Sequence, residues 1–198
     1  MRIEKEKELH NYIEELKIKR SMLLEKYGEF LTVERYLIEL SNGEVVHRER
    51  LLKNGKDGNA SIILPVTEDG EVLLVVQPRA FTSNGVCIEL PAGYVDDNES
   101  YEEAAGRELF EETGYVPEKL IWLGSFYQDQ GCSGAYNQAF LAENCKKIGN
   151  QQLDKDEFIR YFKCSIDEMF ELVNMGKISD CQSQLAIERS KVYLKNRR

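Results

Sequence analysis

Residues 93–115 read GYVDDNESYEEAAGRELFEETGY. Ser100 followed by Glu103 is a capping-box pattern, so the reading predicts a helix over residues 99–113 that begins near Ser100. Gly114 is placed to end it. Within that helix Glu108, Glu111 and Glu112 stand at i, i+3 and i+4, spacings that share one face. Three carboxylates on an exposed face repel one another by a few tenths of a kcal/mol per pair. A hard divalent cation turns that repulsion into binding, because Mg²⁺ favours carboxylate oxygen. Solvated acidic helix faces are common, however, and Arg107 offers partial relief. The triplet alone leaves metal site and charged surface both open.

The flanks narrow the choice. Pro91-Ala92-Gly93 forms a sharp loop after a strand, and glycine lets the backbone come close to a ligand or ion. Glu99 lies eight residues before Arg107. That pair can tie loop to helix through a charge-assisted hydrogen bond; the alternative makes both simple surface charges.

Working outward, residues 1–27 are predicted to be helical, with Leu9, Tyr12, Ile13, Leu16, Leu23 and Tyr27 at helical spacing and Gly28 as the stop. Phe30–Leu40 and Glu44–Leu52 read as a β-hairpin turning at Asn42-Gly43. The polar loop Lys53–Asn59 separates this appendage, residues 1–56, from a main domain over residues 57–198. In the main domain Ser61–Val66 and Glu71–Gln77 are strands flanking Asp69-Gly70. Further strands are predicted at Val86–Leu90, Leu120–Tyr127, Gln138–Ala142 and Phe158–Cys164. Ser165–Met175 and Ser179–Leu194 read as closing helices. Strands interspersed with a few helices indicate a mixed α/β fold.

Composition sets outer limits. The chain has 198 residues, 42% hydrophobic and 31% charged, with a formal net charge of −9. That balance argues against a protein that coats nucleic acid, since phosphate backbones attract Lys and Arg. It leaves room for a phosphorylated small molecule carried on cations held by carboxylates. No run of about 18 apolar residues is present to span a membrane. The five cysteines are odd in number, form no CxxC pair, and follow a charged N-terminus; reduced thiols in the cytoplasm are expected.

The stretch 93–115 resembles the Nudix box, G-x5-E-x7-R-E-U-x-E-E-x-G-U with U hydrophobic, at every specified position. Leu109 and Tyr115 fill the two U places. The resemblance implies an α/β/α sandwich on a mixed sheet, here preceded by the N-terminal helix and β-hairpin. It also implies Mg²⁺ or Mn²⁺ bound on the box and hydrolysis of a nucleoside diphosphate linked to another group. Carried across, Glu108, Glu111 and Glu112 are metal ligands, Glu112 foremost and Glu108 next. Gly93, Glu99 and Arg107 hold the loop geometry.

A wider likeness reaches the ADP-ribose pyrophosphatase branch. Glu89-Leu90-Pro91-Ala92-Gly93 resembles its E-L-P-A-G, in which the carbonyl at the Ala92 position also binds metal. Gln77-Pro78-Arg79 resembles its Q-x-R, whose arginine contacts substrate phosphate. Residues 165–169 and 176–181 resemble its closing segment. The hairpin resembles the strands with which that branch builds an intertwined dimer, so a homodimer is expected. The branch places its general base on a loop before the last strand; here the loop offers Asp154, Asp156 and Glu157, with Glu157 the first choice and Asp156 the second.

One segment departs from the pattern. Residues 127–138 read YQDQGCSGAYNQ, with Gln130 where the branch often has proline and no following glutamate. That bears on ADP-ribose as the particular substrate and not on the metal chemistry. Hydrolysis of a nucleoside triphosphate or a dinucleotide, and a non-catalytic nucleotide binder, stay as alternatives. Tyr36, Phe81 and Tyr136 are candidates for base stacking or for core.

Overall fold

The computed structural model describes residues 3–16, 29–39, 43 and 45–195. Helix α1 covers Ile3–Leu16. The remainder of the first predicted helix, with Leu23, Tyr27 and Gly28, lies outside the described residues, as does Asn42 at the hairpin turn. Strands β1 (Leu31–Glu39) and β2 (Val45–Lys53) pair antiparallel in full register, Leu31 opposite Lys53, as a separate two-stranded sheet.

Among the described residues the main sheet has eight strands. Its first members are β3 (Ala60–Thr67), β4 (Val72–Pro78), β5 (Val86–Glu89) and β6 (Ala92–Tyr94). Helix α2 (Tyr101–Thr113) follows, then β7 (Tyr115–Val116), β8 (Lys119–Tyr127), β9 (Tyr136–Lys147) and β10 (Arg160–Cys164). Helices α3 (Ile166–Asn174) and α4 (Cys181–Leu194) close the chain. The path runs β10-β4-β3-β9-β7, with β5 on β4, β6 on β3 and β8 on β9. Only the β3–β9 pairing is parallel, so the sheet is mixed.

Alternation along β3 sorts the two faces. Ile62, Leu64 and Val66 pack with Leu9 and Leu16 of α1, Met169 and Leu172 of α3, and Ala186, Ile187 and Leu194 of α4. Ile63 points the other way, into a cluster with Ala105 and Leu109 of α2, Leu73 and Phe140. Helices therefore cover both faces, which is the α/β/α sandwich expected. Nine buried β3 and β4 residues carry no exposed surface at all, from Ile62 to Leu64, Val66 and Val72 to Val76. These strands are buried on both sides, which explains their continuous apolar reading.

Two strands escaped the sequence reading, β6 and β7. They are three and two residues long, too short for a period-2 pattern to show. Strand β9 runs farther than predicted, because pairing with β3 and β8 carries polar residues such as Asn137 along with it.

Candidate active site

The box is built from its ends inward. Ser100 Oγ accepts from the Glu103 amide while the Glu103 carboxylate accepts from the Ser100 amide, completing the predicted capping box. At the other end Gly114 adopts φ 78° and its amide donates to the Phe110 carbonyl. Such a left-handed C-cap suits glycine.

Arg107 organises the loop before this helix. Its Nε and Nη2 donate to the two Glu99 oxygens at 2.8 and 2.9 Å, and Nη2 also reaches the Tyr94 carbonyl at 2.9 Å. Nη1 donates to Glu108 Oε1 at 2.7 Å and to Glu111 Oε2 at 3.0 Å. The Arg107 guanidinium holds Glu99 below the usual carboxylate range. Glycine is required at position 93: a Cβ there would lie 1.9 Å from Glu108 Cδ. The Glu108 carboxylate thus rests directly on the Gly93 backbone.

The three box carboxylates do not share one fate. Glu112 is 2% exposed and accepts from the Ala92 amide at 3.2 Å. Burial, with Glu108 and Glu157 as like charges nearby, pushes its carboxyl well above the ordinary range. Glu108, also buried, is pushed up to about 7, chiefly by desolvation and against the pull of Arg107. Both line a cleft of about 680 Å³, while Glu111 does not. Glu111 is turned to Arg107. Among the described residues no three Asp, Glu, His or Cys side chains already stand around one point as a ready metal cage. Yet Glu108, paired with Arg107, and Glu112 beside it are buried carboxylates, the hard oxygen donors that a divalent ion takes, so the donor set fits one.

Ala92, Gly93, Arg107, Arg79 and Glu157 line the same cleft; Asp154 does too, and Asp156 does not. Glu157 Oε2 accepts from the Asp154 amide at 3.1 Å, which pins the loop acid. Arg79 donates to both Glu89 oxygens, at 2.8 and 2.7 Å, and Gln77 adds a third bond to Glu89 at 3.2 Å. Tyr36, Phe81 and Tyr136 are absent from the lining, and Tyr94 is the aromatic present. Phe81 is wholly exposed.

Among the lining residues to which sequence reasoning gave no site role are Asp180, Gln128 and Lys53. Asp180 caps α4, Oδ2 accepting from the Ser183 amide at 2.8 Å, while its buried Oδ1 has no hydrogen-bond partner. Burial raises its carboxyl pKa. Its place before a helix was the available signal. Gln128, from the segment that departs from the branch pattern, and Lys53, from the hairpin, carried no motif signal.

A mixed sheet covered by helices on both faces, with a complete box holding two buried carboxylates on a cleft, defines a Nudix fold. The NUDIX domain model matches residues 56–182. The ADP-ribose pyrophosphatase of Bacillus subtilis is 32% identical over 152 residues, covering 76% of this chain and 80% of that protein. The methanol dehydrogenase activator of Bacillus methanolicus is 30% identical over a stretch of the same length and coverage. A crystal structure of an ADP compounds hydrolase superimposes with a TM-score of 0.72 at 22% identity, covering 91% of each chain. The chain belongs to the Nudix family of hydrolases.

Proposed function

We propose that this protein hydrolyses the diphosphate of ADP-ribose or a related nucleoside diphosphate sugar, giving a nucleoside monophosphate and a sugar phosphate. The observation that carries the reading is the pair Glu108 and Glu112, buried together on the wall of a cleft that also holds Arg79. That the B. subtilis relative is an ADP-ribose pyrophosphatase supports the substrate class. Mg²⁺ or Mn²⁺ would be held by Glu108 and Glu112, with Glu111 and the Ala92 carbonyl as the further donors the family pattern assigns. Such an ion, when bound, neutralises phosphate oxygens and lowers the pKa of water.

The chain's own groups supply the rest. Arg79 presents a guanidinium fork already oriented by Glu89, suited to phosphate oxygens. Glu157 takes the proton from the attacking water as the new P–O bond forms and the phosphoanhydride P–O bond breaks. Arg107 and Glu99 keep the loop in place and do not touch substrate. No nucleic acid is involved, and the five free cysteines suit a cytoplasmic setting. Among the described residues no helix is long and apolar enough to cross a membrane.

The residue 1–56 appendage is assigned to homodimer formation, and residues 57–198 to the hydrolase domain. Val33, Leu37 and Val45 of the hairpin are 57%, 66% and 60% exposed, an apolar face that a second copy would cover. A monomer in equilibrium sedimentation at micromolar concentration would count against that assembly. The activity is tested by incubating the protein and Mg²⁺ with ADP-ribose, other diphosphate sugars, nucleoside triphosphates and dinucleotides. AMP and ribose 5-phosphate from ADP-ribose are expected. No turnover of any diphosphate sugar would overturn the reading.

A further inference from the structure

The glutamines around the cleft differ in which end they leave free. Gln77 Nε2 donates to Glu89 at 3.2 Å, and Gln151 Nε2 donates to the main-chain carbonyls of Glu112 and Ile159 at 2.6 and 3.2 Å. Gln182, which also lines the cleft, is engaged the other way round. Its Oε1 accepts from Asn137 Nδ2 at 2.7 Å. Among the described residues no acceptor is paired with its Nε2.

The orientation is dictated from the backbone. Asn137, on β9, is 1% exposed, and its Oδ1 accepts from the Ala60 amide, at the start of β3, at 2.9 Å. A backbone amide only donates, so Asn137 must turn its oxygen to Ala60 and its NH2 group to Gln182. Gln182 must answer with its oxygen, and the end left for the cleft is an NH2 group with two donor hydrogens. The side chain stands in the first turn of α4, which Asp180 caps. One residue on, the buried Ser183 Oγ accepts from the Leu90 amide at 2.8 Å. Leu90 leads directly into Pro91-Ala92-Gly93, so the helix that carries the donor is tied to the loop on which Glu108 rests.

A neutral donor suits an uncharged oxygen. The diphosphate is matched by the Arg79 guanidinium, whereas the ribose hydroxyls on either side of it call for uncharged partners. We infer that Gln182 is a specificity-determining residue whose Nε2 donates to a ribose 2- or 3-hydroxyl oxygen of the substrate. The inference rests on the proposed pyrophosphatase reading and deepens it, naming a group by which the cleft tells a ribosyl substrate from its deoxy counterpart. The relay through Asn137 sets the donor before substrate arrives, which lowers the ordering cost of the contact.

The test uses the full chain with Mg²⁺, ADP-ribose, and analogues lacking the 2′ or 3′ hydroxyl of the nucleoside ribose or the 2″ or 3″ hydroxyl of the terminal ribose. In the unaltered protein at least one analogue is expected to show a KM about tenfold above that of ADP-ribose, the scale of one hydrogen bond lost with its donor left unpaired. In Gln182→Met the KM for ADP-ribose should rise to that level while the KM for that analogue stays, so the preference disappears. The position of the missing hydroxyl identifies which ribose is read. A second measurement needs no variant: the Gln182 side-chain ¹⁵N–¹H signals of the unaltered protein should shift when α,β-methylene ADP-ribose, which cannot be cleaved, is added. A preference that persists in Gln182→Met would overturn the assignment, as would side-chain signals that stay in place. A KM raised equally for every compound would also overturn it, putting the amide on the diphosphate or making it a prop for Asn137. If the unaltered chain neither cleaves nor binds any diphosphate sugar, the functional reading itself falls; turnover that ignores Gln182→Met sinks only the glutamine's role.

Discussion

Helices α2 and α3 begin alike and bury opposite things. Each opens with a serine N-cap, Ser100 or Ser165, and each completes a capping box with a glutamate three residues on, Glu103 or Glu168. Behind those identical starts, α3 buries Ile166, Met169 and Leu172. The buried residues of α2 include Ala105 and Leu109 but also Glu108 and Glu112. In α3 the acid that is not solvated, Glu168, has Lys5 at 3.4 Å. In α2 Glu112 receives one backbone amide, and the like charges of Glu108 and Glu157 act with burial to raise its carboxyl. The helix start is thus a local matter, satisfied by backbone amides. The content of the buried face is what separates a structural helix from a chemical one.

The comparison breaks most sharply on paired substitutions. Glu112→Gln keeps the volume and an acceptor for the Ala92 amide while removing the charge. Turnover is expected to fall about 10³-fold, the scale of losing a preorganised charge at a reacting centre, with the fold intact. Met169→Ala, at 0% exposure in α3, is expected to cost about 2–5 kcal/mol in urea unfolding and leave kcat of the folded protein alone. If Glu112→Gln proved as destabilising as Met169→Ala while activity survived, the buried acid would be a packing residue and the contrast would dissolve.

This contrast also explains how far the sequence could be read. The Ser100–Glu103 capping box, the C-terminal Gly114 and the Glu99–Arg107 tie were legible, because each depends on residues close along the chain. The spacing of Glu108, Glu111 and Glu112 correctly put them on one helix. Spacing could not say that Arg107 would draw Glu111 aside while Glu108 and Glu112 turn to the cleft. That division depends on Gly93 arriving from β6, a strand too short to register in the pattern. Lys53 and Gln128 were illegible for the same reason: they meet across 75 residues of sequence, and neither sits in a periodic or motif context. The hairpin looked like an appendage because no local signal ties its last residue to the cleft.

A smaller effect, and a finer one, comes from pH. In the metal-free fold burial raises Glu108 from 4.5 to about 7. A raised carboxyl favours its protonated form, so its contribution to stability is full below about pH 4.5 and is lost as pH rises through about 7. Compared with Glu108→Gln, metal-free protein should therefore lose Tm between pH 5 and pH 8, and Mg²⁺ should restore it at pH 8. The restoration follows because a ligand that binds only the folded state stabilises it by mass action. Scanning calorimetry at the two pH values, with and without Mg²⁺, reads the difference directly. Parallel pH profiles for the two proteins would show that Glu108 is solvated and that α2 is not the charged counterpart of α3.

The smallest effect tests the shared half of the comparison. Ser100→Ala and Ser165→Ala each remove one side-chain acceptor from a first-turn amide, and each is expected to cost about 1 kcal/mol. The two losses should match in urea titrations, because the two caps make the same reciprocal capping-box pair. Neither should alter kcat. Fraying at Ser100 affects the first turn, whereas Glu108 and Glu112 lie one to two turns farther on, fixed by Arg107 and the Ala92 amide rather than by the cap. Should Ser100→Ala alone lower kcat, the cap would be setting the position of the carboxylates. The start of α2 would then belong to its chemistry, and the separation between helix signal and buried-face content would hold only for α3.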